Sequence, residues 1–92
     1  MEKGVGMIAA VSSALEFRKT HPSADSEKIL RHVSDIAHQE KDIEAKLGMI
    51  AAASRAIKLL ERNPSLKDRE VIKLVMDDLP EIAKSVAIAD EF

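Results

Sequence analysis

A segment in the first half of the chain recurs in the second half, 42 residues further along the sequence. Gly6-Met7-Ile8-Ala9-Ala10 recurs as Gly48-Met49-Ile50-Ala51-Ala52, and Pro22-Ser23 recurs at the same offset as Pro64-Ser65. A shared pentapeptide followed without a gap by a shared Pro-Ser step indicates internal duplication. The repeat therefore predicts two copies of one structural unit.

The composition favours helices in both units. Ala, Leu, Ile, Met, Glu, Lys and Arg dominate, whereas the 92 residues include only 3 Gly and 3 Pro. These are strong helix formers, and the chain has too few turn residues for an all-β protein. Hydrophobic residues make up 46% and charged residues 33%, which is typical of a folded chain. We expect one all-α domain over residues 1–92.

Each unit is predicted to be a helical hairpin, with a first helix rich in small residues and an amphipathic second helix. The first helix should end near Thr20 or Arg62, because the residue before a proline is pushed out of the α region. Ser23 and Ser65 are the predicted N-caps of the second helices. Unit 1 then covers about residues 1–41 and unit 2 about 42–79, and Asp42 should cap the first helix of unit 2.

A fifth, short helix is expected after the second unit, at about residues 80–90. Pro80 suits the first turn of a new helix, with Asp78 as its cap. Ile82, Val86 and Ala89 would lie on one face of this closing helix. The prediction is therefore about five helices, as a duplicated hairpin plus a short C-terminal helix.

An alternative keeps one long central helix over residues 23–62, in an intertwined helical dimer. Its support is an apolar seam that advances in steps of four and three residues, interrupted only by Glu40. The seam consists of Ile29, Val33, Ile36, Glu40, Ile43, Leu47 and Ile50. Gly48 weakens the interior of such a helix without forbidding it.

The small residues of the first helices allow two helix axes to approach closely. They are Gly6, Ala9, Ala10, Ser13 and Ala14, with Gly48, Ala51, Ala52 and Ala56 in the second unit. The two helices either pack on each other about a pseudo-two-fold axis within one chain, or present this surface to a second copy or a partner helix.

Catalytic and metal motifs are weak. The chain has no Cys, and Ser12, Ser13 and Ser54 have no His at helical spacing. Asp35 and His38, with Asp42 on the same helical face, form an Asp-x-x-His motif that resembles half of a carboxylate-bridged two-metal site of the bundle type. The second unit lacks the other half, since its corresponding residues are Asp77, Pro80 and Lys84. We expect no enzyme activity, no cofactor and no metal, and keep a bundle metal protein or enzyme as the third hypothesis.

The charge distribution argues against nucleic acid as a partner. Basic residues number 14 and acidic residues 16, and there is no Trp, no Tyr and only 2 Phe for base stacking. Basic residues cluster on the second helix of unit 2 and on the helix before it, but both clusters alternate with acids. They are Lys67, Arg69 and Lys73, and Arg55, Lys58 and Arg62. Weak nucleic-acid binding through Lys67, Arg69 and Lys73 is the second hypothesis. No apolar stretch is long enough for a membrane. Without Cys or a convincing leader sequence, we expect a cytoplasmic location.

The differences between the units give the functional hypothesis. Four positions carry a larger apolar side chain in unit 2, where unit 1 has Arg18, Ala24, His32 and Ser34. The four residues are Leu60, Leu66, Leu74 and Met76. Apolar surface beyond the needs of a small core marks a site for a partner. We predict an interface at these residues, in a small helical protein-interaction or oligomerisation module that forms a homodimer or binds another protein.

Overall fold

A computed structural model describes the backbone of residues 3–90 and the side chains of residues 6–84. The described chain folds into four α-helices and contains no strand, so the all-α prediction is confirmed. The helices are α1 (Lys3–Thr20), α2 (Ser26–Ala37), α3 (Ile43–Arg62) and α4 (Asp68–Asp90).

The predicted helix ends are confirmed for α1 and α3, but the predicted serine caps are wrong. Asp42 caps α3, and its Oδ1 accepts the backbone N–H of Glu44 at 3.1 Å. The cap of α2 is Asp25, whose carboxylate accepts the N–H of Lys28 at 2.9 Å. Ser23 and Ser65 lie instead in the preceding turns, because each proline turn takes further residues before the helix begins.

The predicted fifth helix is also wrong, because α4 continues through Pro80 to Asp90. An interior proline removes one backbone hydrogen bond and costs about 3 kcal/mol. Burial of Ile82, which is 8% exposed, offsets part of that cost, and Leu79 and Ala83 pack against the same core. Asp78 therefore caps nothing. The side chains of Val86 and Ala89 lie outside the described residues.

The long central helix over residues 23–62 is contradicted as well. α2 ends at Ala37, α3 begins at Ile43, and the N–H of Glu40 donates to the carbonyl of Ala37 in the turn between them. The apolar seam is shared by two helices that pack against each other. Val33 of α2 and Met49 of α3 belong to the same buried cluster.

The helices form a bundle in which α1 and α3 run parallel to each other, and α2 and α4 run in the opposite direction. Lys19 near the end of α1 pairs with Asp68 at the start of α4, at 2.6 Å. Ser26 at the start of α2 donates to Glu61 near the end of α3, at 2.7 Å. Within the described part of the chain, every pair of helices is in contact except α2 and α4. The bundle is therefore collapsed along one diagonal, with α1 against α3.

Small side chains permit this collapse. Ala10, Ala14, Ala52 and Ala56 are each at most 2% exposed. At Gly48 an added Cβ atom would lie 2.6 Å from Cε of Met7, so the end of the Met7 side chain would have to shift. The small-residue surfaces of α1 and α3 thus pack on each other within one chain.

Two buried clusters flank the α1–α3 contact, one under α2 and one under α4. Positions that the repeat pairs with each other take equivalent places in them. Ile29 and Val33 of α2 are buried in one cluster as Val71 and Val75 of α4 are in the other, and Met49 in the first corresponds to Met7 in the second. α4 adds Ile82, for which the shorter α2 has no equivalent.

Alanine at the two equivalent glycines should affect stability differently. Gly6→Ala is expected to raise the free energy of unfolding by about 0.5–1 kcal/mol, because Ala is the better helix former. Its Cβ would meet Met49 at an ordinary 3.8 Å. Gly48→Ala should gain less, because the tip of Met7 must move. Urea unfolding followed by circular dichroism measures both; an equal gain at both positions would contradict the close contact at Gly48.

Candidate functional site

The four residues predicted as an interface do not form one surface. Leu60 is 6% exposed and belongs to the core under α4, and Leu66 is half-buried against that core. Leu74 is 39% exposed and Met76 is 52% exposed, both on α4. Leu60 is therefore not available to a partner, which leaves Leu74 and Met76 as exposed apolar side chains.

Leu74 and Met76 lie on opposite flanks of α4. Two residues along a helix rotate the side chain by about 200°. Leu74 is one turn before Asp78, whose carboxylate accepts a hydrogen bond from Nε of Arg55 on α3 at 2.9 Å. Leu74 therefore borders α3, and Met76 borders the opposite side of α4. A single flat partner contacts one of them only.

Charged side chains surround Leu74 in two rows along neighbouring helices. The basic row follows α3 at spacing i, i+3 and i+7, and consists of Arg55, Lys58 and Arg62. The acidic row follows α4 at i, i+7 and i+11, and consists of Glu70, Asp77 and Glu81, with Leu74 on the same stripe. All six charged side chains are exposed. We call this surface, the two rows together with Leu74, the α3–α4 face.

A shallow groove separates the two rows. One part, of about 170 Å³, is lined by Arg55, Lys58, Leu59, Arg62 and Asp78. A second part, of about 240 Å³, shares Arg55 and Lys58 and extends to Ile82 and Glu81. Among the described side chains, Arg55 forms an ion pair across the groove, whereas Lys58 and Arg62 form none. Two cations of the basic row are thus available to an acidic partner.

The equivalent face of the first unit carries no such separation of charge. The counterparts of the basic row are Ser13, Glu16 and Thr20, and those of the acidic row are Lys28, Asp35 and Gln39. At the centre of that face the ring of Phe17 stacks on those of His21 and His32. The ring centroids are 4.2 Å apart for Phe17 and His21 and 4.4 Å apart for Phe17 and His32. The basic cluster on α3 is visible in the sequence, whereas the acidic row on α4 was not predicted, although the residues along one helical stripe show it.

The basic cluster considered for nucleic acid is mixed with acids in three dimensions too. Arg69 and Lys73 are exposed on α4, and Lys67 precedes it. The backbone N–H of Lys67 donates to the Glu70 carboxylate at 3.1 Å. Beside it the carboxylate of Asp68 binds Lys19 and raises the pKa of that lysine above its usual value. These contacts leave no continuous basic surface for a phosphate backbone at this end of α4.

The three residues considered as metal ligands do not come together in one site. Asp42 serves as the cap of α3, and Asp35 and His38 are exposed at the end of α2. Among the residues described, no group of three or more His, Asp or Glu side chains is placed to hold a metal ion. Over the same part of the chain, no helix has both the length and the apolar character needed to cross a membrane.

Two further exposed apolar side chains lie at the start of α3. Ile43 is 61% exposed and Leu47 is 37% exposed, one turn apart. They lie beyond the end of the short α2, and they were not among the residues predicted as an interface. Comparisons with protein-family models, with curated proteins and with solved structures find no match for this chain.

Proposed function

We propose that the protein is a helical interaction module that works by associating with another protein chain, most simply as a homodimer, and that it carries no catalytic activity. The observation that carries this proposal is Leu74, a 39% exposed leucine between rows of opposite charge. Apolar side chains enclosed by a charged rim are typical of protein interfaces. A chain of 92 residues buries only about 60–65% of its unfolded surface, so association adds burial that it otherwise lacks.

The duplication of a helical hairpin belongs to the same proposal. Two pairs of helix boundaries support it. The helix ends at Thr20 and Arg62 are 42 residues apart, as in the sequence repeat, and so are the helix starts at Ser26 and Asp68. In this proposal the two units differ in charge pattern, since at these positions only the second has basic residues on one helix and acidic residues on the next. The cytoplasmic location expected from the sequence is also part of this proposal.

Leu74→Ser should weaken the association, whereas Met76→Ser should not. Both side chains are exposed, so neither change removes core packing, but only Leu74 lies on the α3–α4 face. Removing a partly buried leucine from an interface is expected to raise the dissociation constant about tenfold. Light scattering on a sizing column at several concentrations measures the mass, with the wild type near twice 10.1 kDa.

Circular dichroism of both variants provides the control, because their helix content should equal that of the wild type. Equal weakening by Leu74→Ser and Met76→Ser would contradict the assignment of the site to one flank of α4. A wild-type chain that stays monomeric at every concentration, and that retains no partner from its own cell, would contradict the proposed function itself.

A further inference from the structure

The charges of the α3–α4 face are arranged in a way that suits one particular partner, a second copy of the same face. The basic row lies wholly on α3 and the acidic row wholly on α4. Each row carries three charges, and the exposed cations Lys73 and Lys84 border the acidic row on its side away from α3. Along the groove itself the two rows have opposite signs. A partner must present the opposite order of signs across its width, and a second copy does so when it is turned over.

We propose that the protein forms a homodimer through the α3–α4 face, about a two-fold axis parallel to the helices. This inference rests on the proposed function and names its partner and geometry. Such an axis lies in the plane of an interface in which the same patch of both copies is used. It places α3 of each copy on α4 of the other, so that basic rows meet acidic rows twice. A two-fold axis across the helices would instead place basic rows on each other.

The register of the rows agrees with this arrangement. Rotation about an axis parallel to the helices leaves every residue at its own height along the bundle. The Arg55–Asp78 ion pair shows that these two residues share one height within the chain. Lys58 lies one turn further along α3. On the antiparallel α4, Leu74 and Asp77 both lie within one turn of the height of Lys58. In the dimer Lys58 therefore meets Asp77 of the second copy, and the two Leu74 side chains lie inside the charged rim.

The size of the molecule is sufficient for such an interface. The bundle measures 36 × 25 × 23 Å, so a broad side covers about 900 Å², and a standard interface takes about 800 Å² from each partner. The equivalent seam of the first unit has a ring contact between Phe17 and His32 in place of charged rows. Lys58 and Arg62, which form no ion pair with any other described side chain, then have acids to pair with in the second copy.

Two charge reversals test the proposal. Lys58→Glu and Asp77→Lys are each expected to raise the dissociation constant of the homodimer about 10- to 100-fold, since each places like charges together at two symmetric contacts. When the two variants are mixed, both contacts become complementary again, and a heterodimer should form with near wild-type affinity. Analytical ultracentrifugation of each variant and of the mixture measures this, with one variant carrying a tag that resolves the two chains.

The outcomes separate this inference from the function on which it rests. A dimer that tolerates both reversals, or variants that remain monomeric after mixing, would overturn the proposed face while a protein-association function stands. A wild-type monomer at all concentrations would overturn the homodimer. Thermal unfolding of each single variant checks that the chain still folds, and Asp35→Lys, at the equivalent position of the first unit, is the matched control that should leave the dimer unchanged.

Discussion

Leu60→Ala is expected to lower the free energy of unfolding by about 2–4 kcal/mol, the cost of removing a buried leucine from a packed core. Leu60 is 6% exposed and shares a cluster with Val71 and Val75 of α4. A domain of this size has about 5–14 kcal/mol of stability in total. The midpoint of thermal unfolding should therefore fall by about 10–25 °C.

Leu74→Ala is the matched control, since it makes the same chemical change at a leucine that is 39% exposed. It should cost less than about 1 kcal/mol in urea unfolding of the monomer. Both variants are compared at one low protein concentration, because self-association would add to the apparent stability. Equal losses for the two leucines would show that Leu60 is not part of the core, contrary to the structure.

The second large effect is expected when the contact between α1 and α3 is overfilled. Ala52→Leu should cost about 3 kcal/mol, because Ala52 is 0% exposed between helices and the larger side chain must displace its neighbours. Ala10→Leu, at the equivalent position of the first unit, should cost a similar amount. Ala and Leu differ little in helix propensity, so the loss reports packing.

Ala9→Leu controls this experiment, because Ala9 neighbours the buried stripe on α1 but is exposed. It is expected to change the free energy of unfolding by less than about 0.5 kcal/mol. Chemical denaturation of the three variants measures the difference. A bundle that accepts leucine at both Ala10 and Ala52 without loss would mean that α1 and α3 do not approach closely.

Local signals in the sequence were sufficient for several features of the fold. The proline steps at Pro22 and Pro64 end α1 and α3 where expected, because proline restricts the residue before it whatever the tertiary context. The cap at Asp42 depends only on the first turn of its own helix. The same local logic failed at Pro80, where α4 continues and the packing of Ile82, Leu79 and Ala83 against the core offsets part of the cost of the missing backbone hydrogen bond.

In the candidate site too, some features follow from the sequence and others depend on tertiary packing. Comparing the two repeats drew attention to the residues of unit 2 that are larger than their counterparts, and Leu74 and Met76 are exposed. The comparison did not separate Leu60 from Leu74, since both are leucines on amphipathic helices. Which of them faces the core depends on where α3 and α4 lie against α1, and that information is held by residues far apart in the chain.

By itself the sequence determined the helical class and the ends of α1 and α3, because these follow from backbone preferences of the residues themselves. Only the tertiary structure decided that α4 is continuous, that the bundle collapses along the α1–α3 diagonal, and that opposite charges line the two sides of one groove. Those features result from the packing of whole helices, whose free energy is the sum of many contacts between distant residues.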